Sequence, residues 1–405
     1  MHGAGKSLIQ KFFPFVFGDN AIVKGSPSYE EHRSQWFPSC YQNPTVIITP
    51  ITTTQVAQIL ALTHVLGAPF NNGGVVISFC KGEFTQLVLS EDKKMVDIAV
   101  GLRWADVYEK LDEHGLAVAG GREPRVGVAG LLFGGGLSYQ CNEVGVGCMG
   151  VVDYENENPE LFWTLKGGGP NFGIITKVEM TILPNTFWSA NRLYSASQNT
   201  AFLSAIMTYY TLIESNNKAS LIYHTVNDRT FVSFTYSGAV DDGHPNIFKP
   251  FQHIPYMRYL VPPARRTQCV PADVDRADLT MVAQPMSSLF VKAAHNRGGN
   301  PFGLESVGHQ IFLILADYTN PADTSRIQAT MCKIVDTVEE TAKKNGSYLP
   351  FRYTNYAVPD QDPLVSYGEE KLSTLREVAE KYDPERIFQV LQNGGLAVHM
   401  AAATG

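Results

Sequence analysis

The run from Gly121 to Pro184 places the tightest limits on how this chain folds. It reads GREPRVGVAGLLFGGGLSYQCNEVGVGCMGVVDYENENPELFWTLKGGGPNFGIITKVEMTILP, with clusters of glycine between short β-branched runs. Glycine has no Cβ, so its backbone reaches φ > 0 and lets a second chain or a flat ligand lie against it. Glycine repeated at strand ends therefore points to main chain packed against a large cofactor. The ordinary alternative is a set of glycine-rich turns. One cluster fits that reading; several in so short a span favour the cofactor.

A chain of 405 residues is longer than a typical single domain, which predicts two. Its 44% hydrophobic and 11% aromatic content are globular values. A net charge of −7 argues against a nucleic-acid partner, because phosphate binding needs a basic face. No apolar run approaches about 18 residues, so no membrane span is expected. The six cysteines (Cys40, Cys80, Cys141, Cys148, Cys269 and Cys332) show no C-x-x-C pair and no Cys/His ligand spacing. That disfavours a metal site and leaves disulfides open. The N-terminal apolar stretch is interrupted by Lys11 and Pro14, with no small-residue cleavage pattern after it. A cytoplasmic location is slightly favoured over a secreted one.

Periodicity predicts helices over 54–66, 104–114, 159–165, 201–214, 322–344 and 363–382. Strands are expected at 75–79, 86–100 and 309–317, and a hairpin at 220–225 and 230–237 around Asn227-Asp228. This mixture, with no regular βαβ repeat, indicates an α+β fold.

Several strings carry a specific resemblance: WADVYEKLDEHGLAVAGGR, GVAGLLFGGGLSY, GGGPNFGIITKVEMTILP and the C-terminal NYAVPDQDPLVSYG with VAEKYDPERIFQ. In this order, from about Gly25 to Gln389, the chain resembles fungal FAD-linked oxidases of the berberine-bridge-enzyme-like, or vanillyl-alcohol oxidase, superfamily with its PCMH-type FAD-binding domain. The resemblance implies a FAD-binding domain from residues 20–190 plus 350–405, and a substrate domain on an antiparallel sheet from 191–349. It implies FAD as cofactor, oxygen as electron acceptor, and a small-molecule substrate that is an alcohol or a hydrophobic secondary metabolite. It also implies cofactor-binding roles. Gly127, Val128, Gly130, Gly134 and Gly135 match the loop along the flavin and pyrophosphate, with Cys148 and Val151 in the stretch after it. Gly173 and Ile174 match the adenine-side strand, and Tyr353 and Asn355 a Tyr-x-Asn segment near the ring.

The chain departs from that family in two places. Where the family has a strand and then an Arg-Ser-Gly-Gly-His loop, this sequence passes from Pro69-Phe70 to Gly73-Gly74, and no histidine lies between His64 and His114. A second gap follows Tyr154. The cysteine that forms a second flavin bond in some members is replaced by the run Gly121-Arg122-Glu123-Pro124-Arg125. FAD is therefore expected to be non-covalent, with part of its pyrophosphate cradle missing. The trimmed scaffold leaves a second use open: a flavin-free cyclase or isomerase, or a non-catalytic binding protein.

Other signals are weaker. Gly3-Ala4-Gly5-Lys6-Ser7 lacks the upstream glycine and strand of a phosphate-binding loop. His224, His253, His295 and His309 are each candidates for a base, though a lone histidine is more often core or surface. Tyr318 is a candidate pocket hydroxyl, and Arg258 with Arg265-Arg266 a candidate acidic-group contact. Trp36, Trp104, Trp163 and Trp188 read as core anchors. The sequence alone names no catalytic base.

Overall fold

A computed structural model describes residues 3–34, 43–70, 73–147, 150, 157–226, 228–240, 243–258, 278–318, 320–358, 361–392 and 397–398. The chain opens with α1 (Gly3–Phe17), so the glycines that mimic a phosphate loop begin a helix instead. Next come β1 (Ala21–Val23), α2 (Tyr29–Arg33), β2 (Val46–Ile48), α3 (Thr53–Val65) and β3 (Val75–Ile77). Ile9, Phe13 and Phe17 of α1 and Ile59 of α3 are buried against Val46, Ile48 and Val75 of this small sheet. Its order is β1-β2-β3; β1 is antiparallel to β2 and β3 is parallel to it. The parallel pair needs a crossover, which α3 supplies, started by the Thr52 side chain accepting from the Gln55 amide.

A second layer contains β4 (Leu87–Leu89), β5 (Met95–Ala99), α4 (Trp104–Asp112), β6 (Leu116–Ala117), α5 (Val128–Phe133), α6 (Cys141–Val144), α7 (Pro159–Leu165), β7 (Lys177–Thr181) and β8 (Leu183–Pro184). Strands β4-β5-β7 form one antiparallel sheet and β6-β8 another. Trp104, Val107 and Leu111 fall three and four residues apart on α4. They meet Val96, Ile98 and Met180 in one buried cluster.

The largest sheet uses β9 (Phe187–Ser195), β10 (Ala219–Val226), β11 (Arg229–Ser237), β12 (Met257–Arg258), β13 (Asp278–Met286) and β14 (His309–Asp317), in the order β12-β9-β11-β10-β13-β14. Every pairing is antiparallel, as the alternating segments imply. One face, with Leu221, Tyr223, Val232, Phe234 and Ala283, packs under α8 (Asn199–Ile213) through Phe202, Ile206 and Tyr209. Strand alternation sends His224, Val282 and Gln284 to the opposite face. Around the sheet lie α9 (Leu289–His295) and α10 (Thr324–Lys344).

The C-terminal segment returns to the glycine-rich layer as α11 (Glu369–Tyr382) and α12 (Ile387–Val390). The helix expected from residue 363 starts at Glu369. Residues 365–367 form a 3-10 turn, and Gly368 at φ +91° breaks the helical run. Leu372, Leu375, Val378 and Ala379 of α11 share a buried cluster with Phe172, Phe290, Phe302 and Tyr367. The fold is α+β with an antiparallel sheet, as the sequence implies. Among the expected anchors, Trp104 is fully buried, Trp163 and Trp188 are half-buried, and Trp36 lies outside the described residues. No helix among the described residues is long and apolar enough to cross a membrane.

Asp383 sets the turn into α12. Its buried carboxylate accepts from the Ile387 and Phe388 amides at 2.7 and 2.8 Å. Asp383→Ala leaves both donors without that partner and should cost about 1–3 kcal/mol, read as a lower urea midpoint. Asp383→Asn, which keeps one acceptor, should fall between. An unchanged midpoint for the alanine variant would show that the turn does not depend on this cap.

Candidate active site

Three parts of the chain meet at one polar corner. Arg122 comes from the loop between β6 and α5, Gln284 from β13, and Tyr356 from the 3-10 turn Thr354–Tyr356. The Arg122 guanidinium donates to Gln284 Oε1 at 2.6 Å and to the Tyr356 hydroxyl at 2.9 Å. Gln284 Nε2 donates to the same hydroxyl at 2.7 Å. Arginine is donor-only, so its contact fixes which end of the Gln284 amide is oxygen. Both lone pairs of the Tyr356 oxygen are then engaged, and its proton is left to point at a third partner.

His224 stands on the same sheet face, opposite Val282 on the neighbouring strand and two residues along from Gln284. Its Nε2 is buried and has no hydrogen-bond partner among the described residues. Burial, helped by the nearby Arg122 charge, lowers its pKa to about 4. The imidazole is therefore neutral near pH 7 and offers an open nitrogen on the sheet face that also carries Gln284, the partner of Tyr356. The rings of Tyr139 (its centre 5.9 Å from the Arg122 guanidinium) and Phe231 (6.1 Å from the His224 ring) give the corner apolar walls.

The surrounding groups are held neutral. Burial raises the Tyr353 hydroxyl well above its ordinary value, and burial likewise raises the Cys141 thiol. Cys141 Sγ accepts from the Ser138 amide at 3.0 Å. Among the described residues, no group of His, Cys, Asp and Glu is placed to hold a metal ion.

The glycines expected to line a cofactor divide into two sets. A Cβ added at Gly127, Gly130 or Gly173 meets nothing within 4 Å, so the main chain there is open. A Cβ at Gly134 would overlap the Asn355 side-chain amide, and one at Gly135 (φ +97°) would overlap the Phe302 ring. At those two positions, packing within the chain accounts for the glycine. Val128 is also used internally: its side chain is in the core and its amide donates to the Leu102 carbonyl at 3.0 Å. Gly173 and Ile174 lie in the ladder-free segment before β7, not in a strand. Cys148 and Val151 lie outside the described residues. Tyr353 is buried, and its hydroxyl accepts from Asn355 Nδ2 at 3.0 Å, while the same nitrogen donates to the Leu131 carbonyl. Together they tie the C-terminal segment to α5.

Of the other candidates, His253 and His295 are exposed. His309 is buried against Phe290. The Tyr318 hydroxyl donates to Thr324 Oγ1, away from the corner. Arg258 falls in β12, and Arg265-Arg266 are outside the described residues. Sequence reasoning missed Arg122, Gln284 and Tyr356. Two signals were present: a glutamine in the otherwise apolar run Met281–Met286, and an arginine directly after paired glycines.

The FAD binding domain family matches residues 61–156. An FAD-dependent monooxygenase of Arthrobotrys oligospora is 29% identical over 430 residues, 89% of this chain and 83% of the relative. Another, of Emericella nidulans, is 28% identical over 466 residues, 95% of this chain and 97% of the relative. That aligned span exceeds the 405 residues of the chain, so the relative carries segments this chain lacks. Among solved structures, a berberine-bridge-enzyme-like protein of Physcomitrella patens superposes with a TM-score of 0.78 at 16% identity, covering 96% of this chain and 99% of that one. The fold is the one found in PCMH-type FAD-binding proteins. The protein is an FAD-linked oxidoreductase, similar over most of its length to fungal FAD-dependent monooxygenases.

The residues present fit such a cofactor in one respect and are reduced in another. The open main chain at Gly127, Gly130 and Gly173 leaves room for a ligand to lie along it. The sequence between Pro69 and Gly73 is too short for the Arg-Ser-Gly-Gly-His loop that the resemblance implies, and a Cβ at Gly74 would overlap the Pro69 carbonyl.

The His224 environment fixes an acid sensitivity. Its folded pKa, about 4, lies below the ordinary 6.5, so the unfolded chain takes up the proton first. Stability is full above about pH 6.5 and declines as pH falls towards 4, by up to about 3 kcal/mol. His309, lowered chiefly by burial, acts in the same direction. His224→Gln should flatten this decline, followed by urea midpoints at pH 7, 6, 5 and 4. An identical slope in the variant would contradict the assignment.

Proposed function

We propose that this protein oxidises a small hydrophobic metabolite at a carbon bearing a hydroxyl, with FAD held non-covalently and oxygen as the final acceptor. The observation that carries the reading is the hydrogen-bonded group of Arg122, Gln284 and Tyr356, with an unpartnered His224 nitrogen on the same face of the sheet as Gln284. Both stand at the junction of the glycine-rich layer and the large sheet. Bound FAD would supply the two-electron acceptor for the substrate carbon's hydride, with oxygen as the final oxidant and hydrogen peroxide as its product.

The chain supplies position and proton handling. His224 Nε2 accepts the hydrogen bond of the substrate hydroxyl and receives its proton as the carbon is oxidised. Tyr356, held by Arg122 and Gln284, donates to the same oxygen and fixes its direction. Phe231 and Tyr139 exclude water from the corner. The open main chain at Gly127, Gly130 and Gly173 would hold the cofactor, and the absence of any histidine between His64 and His114 supports non-covalent attachment. In this reading residues 20–190 with 350–405 form the cofactor-binding domain and 191–349 the substrate domain, with β9 crossing the boundary.

A visible spectrum of the purified protein with added FAD, followed by peroxide detection on turnover of hydroxylated aromatic compounds, tests the proposal. Flavin bands and peroxide are expected. His224→Gln and Tyr356→Phe should each lower kcat by about 10²-fold while flavin absorbance stays at the wild-type level. A colourless protein that takes up no FAD would overturn the oxidase reading.

A further inference from the structure

The partly buried arginines of this chain are not equivalent. Arg33, Arg352 and Arg376 each pair with a carboxylate, of Glu30, Glu339 and Glu369. Arg192 has none, but its guanidinium donates to the Phe251 carbonyl at 2.6 Å and lies against the Phe234 and Tyr256 rings, sealed in the core. Arg122 is different. Its two hydrogen bonds both go to neutral partners, Gln284 and Tyr356, and no carboxylate among the described residues pairs with it. The residue as a whole is half-buried, with its guanidinium enclosed by protein.

A guanidinium has five N–H donors. Two of those of Arg122 are engaged, each on a different terminal nitrogen, and the rest remain for a ligand. Charge in a partly dry site is costly unless it is paired, and planar anions are the partners a guanidinium matches best. The neighbouring groups favour an anion: the Cys141 thiol and the Tyr353 hydroxyl are kept protonated by burial, and the unpartnered imidazole of His224 carries no charge. Among the described residues, no anionic side chain competes for the guanidinium.

We infer that the substrate carries a carboxylate that docks on the Arg122 guanidinium, beside the hydroxyl that His224 accepts. The inference deepens the site proposed above and rests on that reading for the word substrate. It does not depend on the cofactor, because anion binding at Arg122 is measured without any turnover. Arg122 is then a specificity-determining residue: it selects hydroxy acids over neutral alcohols of the same shape.

The test is calorimetric titration of the full chain with sodium benzoate and with benzamide, its neutral isostere, in the presence of FAD. Benzoate should bind at least tenfold more tightly than benzamide. Raising sodium chloride from about 0.05 to 0.5 M should weaken benzoate alone. Arg122→Gln should abolish the preference and Arg122→Lys should keep part of it. Should the glutamine variant not fold, the comparison of the two probes and the salt dependence on the wild-type chain still decide. Equal affinities, or no benzoate binding up to about 50 mM, overturn the inference. Flavin uptake is read separately in the visible spectrum, so a chain that binds FAD yet ignores benzoate sinks this inference alone, and one that binds benzoate but no FAD sinks only the oxidase proposal.

Discussion

The Phe302 ring sits where two side chains have been omitted. A Cβ at Gly135 or at Gly167 would overlap it, so both glycines are needed for the ring to seat. Phe302 is fully buried and meets Phe351 and Tyr367 at ring-centre distances of 5.2 Å each. The Tyr367 hydroxyl then donates to the Gly167 carbonyl at 3.0 Å. Through one aromatic contact the glycine-rich layer, the segment before β14 and the C-terminal return are locked together. The polar corner depends on this lock, because Arg122 and Tyr356 reach each other only if the same two layers are in register. Tight packing of this kind tolerates little change in volume.

Much of the fold was legible in the sequence because its elements announce themselves locally. Pro159 at the first helical position and the stripe Trp104, Val107, Leu111 mark α7 and α4 without reference to the rest of the chain. The apolar run at 309–317 and the pairing of Val226 with Arg229 followed from strand chemistry in the same way. The site was less legible. Arg122, Gln284 and Tyr356 are separated by 162 and 72 positions along the chain, and nothing local to any of them says that they meet. The role of each glycine is hidden for a related reason. The same residue type leaves room for a ligand at Gly127 and for a neighbouring side chain at Gly134, and only the three-dimensional packing separates the two.

The large sheet divides its labour by face. One side is an aromatic core under α8, where Phe202, Tyr209, Phe234 and Phe251 meet at ring contacts of about 5–6 Å. The other side carries the polar residues His224 and Gln284 among apolar neighbours. A strand pattern with period two lets one element be structural on one face and chemical on the other. The stability of the helix-covered face is what allows the opposite face to hold an unpartnered imidazole nitrogen, since a buried polar atom of that kind is unfavourable by itself.

The link between α3 and β3 is held at both ends. Phe70 is fastened from outside the small sheet: its amide donates to the Leu391 carbonyl at 2.6 Å, and its ring lies parallel to Phe388 at 6.4 Å. On the far side, the Gly73 amide donates to the Asn43 carbonyl at 3.0 Å. Both stumps are thus anchored independently of the residues that join them. Lengthening a connection between fixed posts adds only a slowly growing closure entropy, about 0.6 kcal/mol for each doubling. A longer connection at this point would leave β2 and β3 where they are, so the junction tolerates an inserted segment without disturbing the small sheet.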